Sequence, residues 1–170
     1  VAPAGAALGW LAIEWSAKGH PSLLGAVSGA IAGLVAVTPA AGLIGPMGAI
    51  VLGAVAGVVC YIFCSSVKHA FGYDDSLDVF GIHGIGGIIG AIGTGIFVSP
   101  ALGGVGVDDY SMAGQVVTQA TGVLITIAWS GVVSLVLFKL IDMTMGLRVT
   151  EEQEREGLDT ASHGERAYNL

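Results

Sequence analysis

The chain has 170 residues, 54% of them hydrophobic and only 11% charged, with a net charge of −7 and a mean hydropathy of +0.80. A soluble domain carries about 25% charged residues, so this composition argues against a water-soluble globule. The absence of a basic patch argues equally against a nucleic-acid partner.

The charges are bunched. Residues 19–67 contain no Asp, Glu, Lys or Arg, and neither do residues 79–107 and 110–138. A helix crossing the hydrocarbon core needs roughly 20 apolar residues, so each stretch holds at least one span. In chain order, the first expected span is residues 1–15, ending at a Ser-Ala-Lys-Gly-His-Pro segment. Residues 1–13 are already apolar with no basic residue before them, so this span is expected to be cut open and the chain to be a piece of something longer. The second span, 22–38, lies between Pro21 and Pro39, and the Pro- and Gly-bearing stretch 39–46 turns the chain. The third is expected at 47–66, followed by a polar loop over 68–78. The fourth covers 79–97, with a Gly-rich loop to Ser111, and the fifth runs over 112–145, long enough to tilt or protrude. Residues 148–170 are a charged tail. The expected architecture is an all-α polytopic membrane protein, a bundle of about five transmembrane helices over 1–147.

With five spans, the loops containing Lys18 and Lys68 and the tail with Lys139, Arg148, Arg155 and Arg166 fall on one side. The opposite loops, 39–46 and 99–111, have no basic residue. The positive-inside rule makes the tail cytoplasmic.

Twenty-eight glycines are about twice the usual share. Gly86 and Gly90, and Gly25, Gly29 and Gly33, leave helix faces bare for close backbone approach. That pattern speaks of packing, whether or not a conduit runs through it. Cys60 and Cys64 have no His or carboxylate nearby in their span and read as small apolar groups. No metal or cofactor site is expected, and neither polar segment offers a nucleophile–base pair or phosphate loop, so an enzyme is not expected.

Chemistry concentrates at residues 78–84, Asp-Val-Phe-Gly-Ile-His-Gly. His83 lies well inside a span, where a titratable group is costly and a functional candidate by default. A neutral imidazole there can donate with one nitrogen and accept with the other. The alternative is a histidine hydrogen-bonded to a neighbouring helix. Asp78, at the helix start, is expected to cap exposed amides and meet the positive dipole end. His20 and His69 sit beside lysines at the rim.

These residues resemble a known family. Residues 21–40 (PSLLGAVSGAIAGLVAVTPA), 78–87 (DVFGIHGIGG) and 146–168 (GLRVTEEQEREGLDTASHGERAY) resemble, in order, a core helix, the helix of the second pore histidine and the cytoplasmic tail of ammonium transporters of the Amt/Mep/Rh superfamily. The tail is similar to that of the bacterial-type Amt branch.

The resemblance implies an eleven-helix fold of which this chain is the C-terminal half, in a homotrimer of the inner (plasma) membrane with one narrow apolar pore per subunit. His83 matches the second of two adjacent pore histidines, Ile31 and Val79 match lower-pore positions, and Asp78 matches the acidic residue at that helix start. The first histidine, the outer recruitment site and the phenylalanine gate belong to preceding helices, so the chain by itself is not expected to conduct. Arg148, Gly157, Asp159, His163, Gly164 and Tyr168 match the regulatory tail, implying a PII-class signal protein as a partner beside ammonium or ammonia and membrane lipid. Unaided by the resemblance, the run of Glu151, Glu152, Glu154 and Glu156 reads as a solvated acidic terminus. An ammonium sensor is the competing reading. A sensor is expected to carry an output domain after its last helix, so transport is favoured. A channel for another small neutral solute would share the same features.

Overall fold

A computed structural model describes residues 1–166. Among them every regular element is helical. Tyr168, expected in the regulatory tail, lies outside the described residues. The chain divides into two units, residues 1–124 and 125–170.

In the first unit, α1 (Ala2–Lys18) begins with Pro3 in its first turn, where the missing amide costs nothing. It ends on Gly19, at φ 81, whose amide closes onto the Trp15 carbonyl. Helix α2 (Leu23–Val37) starts at Ser22, whose hydroxyl accepts from the Gly25 amide, and it unwinds into a short 3₁₀ turn at Thr38–Ala40. Helix α3 (Pro46–Ile62) again starts on proline. It passes through a π-helical turn, Phe63–Val67, into α4 (Lys68–Phe71), which stops at Gly72 with φ 63. Helical structure thus continues past Ser66, where the span was expected to give way to loop, because a left-handed glycine is what halts it. A second π-helical turn, Phe80–Gly84, leads into α5 (Ile85–Phe97). Helix α6 (Met112–Thr144) is 33 residues long.

Among the described residues, four segments are long and apolar enough to cross a membrane: Leu23–Ala40, Pro46–Phe71, Phe80–Phe97 and Met112–Thr144. Helix α1 has 17 residues and includes Glu14 and Lys18.

The packing rests on bare backbone. A Cβ built on Gly5 would stand 2.6 Å from the Ile50 carbonyl oxygen, and one on Gly9 2.5 Å from that of Ala54. The contact is reciprocal, since Cβ atoms on Gly53 and Gly57 would overlap the carbonyls of Ala2 and Ala6. Small-xxx-small pairs on both α1 and α3 therefore let the two backbones meet, the membrane substitute for a hydrophobic drive between helices. Helix α2 joins them through Gly29 and Gly33, against Trp10, Ala6 and Ala2. Helix α5 comes against α2 where Gly90 meets the Ala36 carbonyl, and against α3 where Gly93 meets Leu52. The buried side chains are correspondingly small: Ala32, Cys60, Cys64 and Ile82 around the edge-to-face pair of Trp10 and Tyr61 (5.6 Å), and Ala36, Ala40 and Ala56 around Leu52.

The two base-free loops meet. The Val105 amide donates to the Leu43 carbonyl at 3.0 Å, and Gly45 abuts the Gly103 carbonyl. The second unit contains the remainder of α6 and, after it, α7 (Glu151–Glu156). Thr150 and Gln153 close α7 with a reciprocal capping box.

Replacing Gly57 by Ala in detergent-solubilised protein is expected to lower unfolding stability by about 1–3 kcal/mol through overpacking. Gly131→Ala, where a Cβ meets nothing within 4 Å, is expected to stay within about 0.5 kcal/mol. Equal losses at both positions would show that backbone approach does not hold the bundle.

Candidate functional site

The π-helical turn Phe80–Gly84 carries His83. Such turns widen a helix by one residue and occur often where a side chain must be re-aimed. Here the turn is pinned from behind. Gly81 and Ile82 are buried, Gly81 lies directly against the Cys64 sulfur, and the Cys60 thiol reaches the Ile82 carbonyl at 4.0 Å. The cysteines thus pack as small apolar residues, with one weak S–H donor supporting the turn. The His83 imidazole faces the other way. It is exposed on the surface of this unit, and it forms no hydrogen bond with the described residues.

Ile31 on α2 and Val79 just ahead of the turn are also on the surface, 37% and 51% exposed. Helix α2 packs alongside the turn, so all three residues lie on two adjoining elements.

Asp78 behaves differently from expectation. Its backbone takes φ 56, and the Asp75 carboxylate makes the cap instead, accepting from the Val79 and Phe80 amides at 2.9 Å each. The Asp78 carboxylate turns to Lys68, whose ammonium donates to it at 2.6 Å and to the Asp75 carbonyl at 2.9 Å. The left-handed residue breaks the run into the helix, so its side chain cannot reach back to the first amides. Lys68, used in the sequence only to judge orientation, thus ties α4 to the start of the histidine turn.

The sequence reading missed Glu14. It is 3% exposed in the first helix, and its carboxylate accepts from Lys18 Nζ (3.1 Å), the Ser22 amide (3.1 Å) and the Ser22 hydroxyl (3.0 Å). A carboxylate inside a span was the available signal. A cavity of about 150 Å³ is bordered by Glu14, Lys18, Ser22, Ser28, Ser65 and Asp78, so the Lys18 segment and the start of the histidine turn share one end of the unit.

In the second unit, Arg148 grips Glu154 with two nitrogens at 2.7 and 3.1 Å. Gly157, at φ 102, ends α7. Asp159 and His163 bound a π-helical turn closed by Gly164 at φ 67. Arg148 thus forms an ion pair of the tail, and Gly157 and Gly164 take the positive φ at the ends of its helical turns.

Lys68 and Asp78 side chains are 21% and 33% exposed. A double-mutant cycle on Lys68→Met and Asp78→Asn is expected to give a coupling of about 1 kcal/mol or more, and additive effects would refute the clamp. Pairing with Arg148 holds Glu154 below its ordinary 4.5. This contribution to tail order is full above that value and is lost as pH falls through and below the lowered one. Amide protection over residues 150–157 is expected to drop on acidification to about pH 3, and unchanged protection would remove the pair from the tail's stability.

Comparison with known proteins places this arrangement. Residues 1–168 match the Ammonium Transporter Family. The chain is 48% identical over its whole length to an ammonium transporter of Aquifex aeolicus, and 45% identical over 94% of its length to one of Bacillus subtilis. It spans about 40% of the length of each of these relatives. Among solved structures it is similar to Saccharomyces cerevisiae Mep2 (TM-score 0.74, 32% identity, 89% of this chain and 36% of that one). It is also similar to a structure described as a sensor Amt protein (TM-score 0.85, 27% identity, 95% of this chain and 39% of that one). With an all-helical bundle of membrane-crossing length and a family match over nearly every residue, the chain belongs to the ammonium transporter family.

Proposed function

We propose that this chain is the C-terminal half of an ammonium transporter and supplies one wall of a narrow apolar pore in the inner membrane, with its tail cytoplasmic. The observation that carries the reading is the family match over residues 1–168. The exposed imidazole of His83, without a hydrogen bond among the described residues, supports it further: such a group waits for a partner that those residues do not provide. In the whole protein that partner is a second histidine and the permeating solute, with Ile31 and Val79 narrowing the path below. Regions 1–147 and 148–170 are the membrane and regulatory parts, and the protein works as a homotrimer surrounded by lipid. The tail residues Arg148, Gly157, Asp159, His163, Gly164 and Tyr168 help a PII-class signal protein close the exit.

Selectivity follows from what the wall lacks. Ile31 and Val79 offer a dehydrated cation nothing in place of its water, and stripping an ion without replacement ligands is prohibitive. A neutral solute able to hydrogen-bond loses far less, and an imidazole that both donates and accepts returns part of that loss.

The test is uptake of labelled methylammonium by the protein extended upstream of Val1, in cells lacking their own ammonium carriers. Uptake is expected to be competed by excess ammonium and to fall about tenfold or more in His83→Ala, the scale of one lost hydrogen-bonding partner. No uptake by protein correctly inserted in the membrane would overturn the transport reading. The sensor reading would then lead, favoured by the likeness to the structure described as a sensor Amt protein.

A further inference from the structure

We propose that Glu14 is a positioning residue for the pore. Acting through Ser22, it fixes where α2, and with it Ile31, stands against the turn that carries His83. The inference rests on the pore reading above.

A carboxylate with 3% exposure is costly unless its lone pairs are filled. Glu14 fills them mostly across the α1–α2 turn. The Ser22 amide and hydroxyl both donate to it, and the same hydroxyl oxygen accepts from the Gly25 amide at 2.9 Å. A relay therefore runs from the first turn of α2 through Ser22 to the side chain of another helix. A serine caps a helix unaided, so the cap alone gives no reason to bury a charge behind it. What the carboxylate adds is a tie between helices.

Two features keep that tie short and fixed. Gly25 has no side chain, and a Glu14 oxygen occupies the space its Cβ would take, so the carboxylate lies flush on the α2 backbone. The balancing charge, Lys18, is held in turn, with its ammonium 5.7 Å from the centre of the Tyr61 ring on α3. Three helices are thus referenced to one carboxylate.

The tie also sits in the right place. Glu14, Ser22 and Ser28 border the same cavity as Asp78, whose clamp by Lys68 sets the start of the histidine turn. Ile31 follows Gly25 by six residues, roughly 9 Å along the helix. A tilt at the capped end of α2 is carried to Ile31 with little loss. One wall of the lower pore is then referenced to Glu14 and the other to Lys68.

The test uses the full-length transporter and three variants: Glu14→Met, Glu14→Gln and Ser22→Ala. The methionine keeps the volume and removes the acceptors. It is expected to assemble to wild-type levels, to lower the maximal methylammonium uptake about tenfold, to leave the half-saturating concentration within about twofold, and to change the rate ratio of methylammonium to ammonium. Glu14→Gln retains an acceptor for the Ser22 amide and is expected to restore most of the rate. Wild-type rate and ratio in a folded Glu14→Met protein would overturn the proposal. A glutamine variant as impaired as the methionine one would also overturn it, because charge rather than placement would then be at work. Should Glu14→Met not assemble, Ser22→Ala breaks the same relay and is expected to shift the rate ratio, and an unchanged ratio refutes the idea.

If the wild-type protein takes up no methylammonium, it is the pore reading that fails. The placement of α2 is then read from spin-label distances between exposed positions 23 and 77. These are expected to broaden in Glu14→Met, and an unchanged distribution would refute the role of Glu14.

Discussion

Close approach of helix backbones is the constraint on which the first unit depends. Hydrocarbon gives two helices no reason to hide apolar side chains from it, so association has to come from contact between surfaces that fit. Glycine supplies the fit. Gly5 and Gly9 on α1 and Gly53 and Gly57 on α3 bring carbonyls to where side chains would otherwise be. The arrangement extends to α2 and α5 through Gly29, Gly33 and Gly90. With backbones this close, most of the buried apolar side chains are alanine or cysteine, the Trp10–Tyr61 pair being the bulky exception, and Leu52 is the largest side chain buried to within 2%. A rigid frame of this kind can hold an irregular segment in place.

The irregular segment is the turn from Phe80 to Gly84. Its inner side is sealed by Cys60, Cys64 and the bare Gly81, and its start is fixed by Asp75 and by the Lys68–Asp78 pair. With both held, His83 projects outward, without a hydrogen bond among the described residues. The frame thereby leaves the His83 imidazole exposed on the surface of this unit. The polar ties at the cavity end (Glu14 with Ser22, Lys68 with Asp78) lie where the glycine contacts give way to loops.

Much of this was legible in the sequence. Charge-free runs announced membrane spans, and the order of three motifs announced the family, because hydropathy and motif spacing are local properties that any window reports. His83 stood out for the same reason, as a titratable residue in an apolar run. The glycine pattern was read at Gly86 and Gly90 and at Gly25, Gly29 and Gly33. The reciprocal pairs of α1 and α3 are not legible in the sequence, because each is ordinary until set against the other.

What the sequence by itself determined, then, is the class of the protein and its family, and it singled out His83 as a titratable residue in an apolar run. Only the tertiary structure decided the partners. It gave the cap of the histidine turn to Asp75 and turned Asp78 to Lys68, since a left-handed φ at Asp78 redirects a side chain that spacing alone would aim at the helix. It made Glu14 a buried tie between helices and left His83 open. Composition records the cost of a polar group in hydrocarbon, but which atoms offset that cost depends on segments that meet only once the chain has folded.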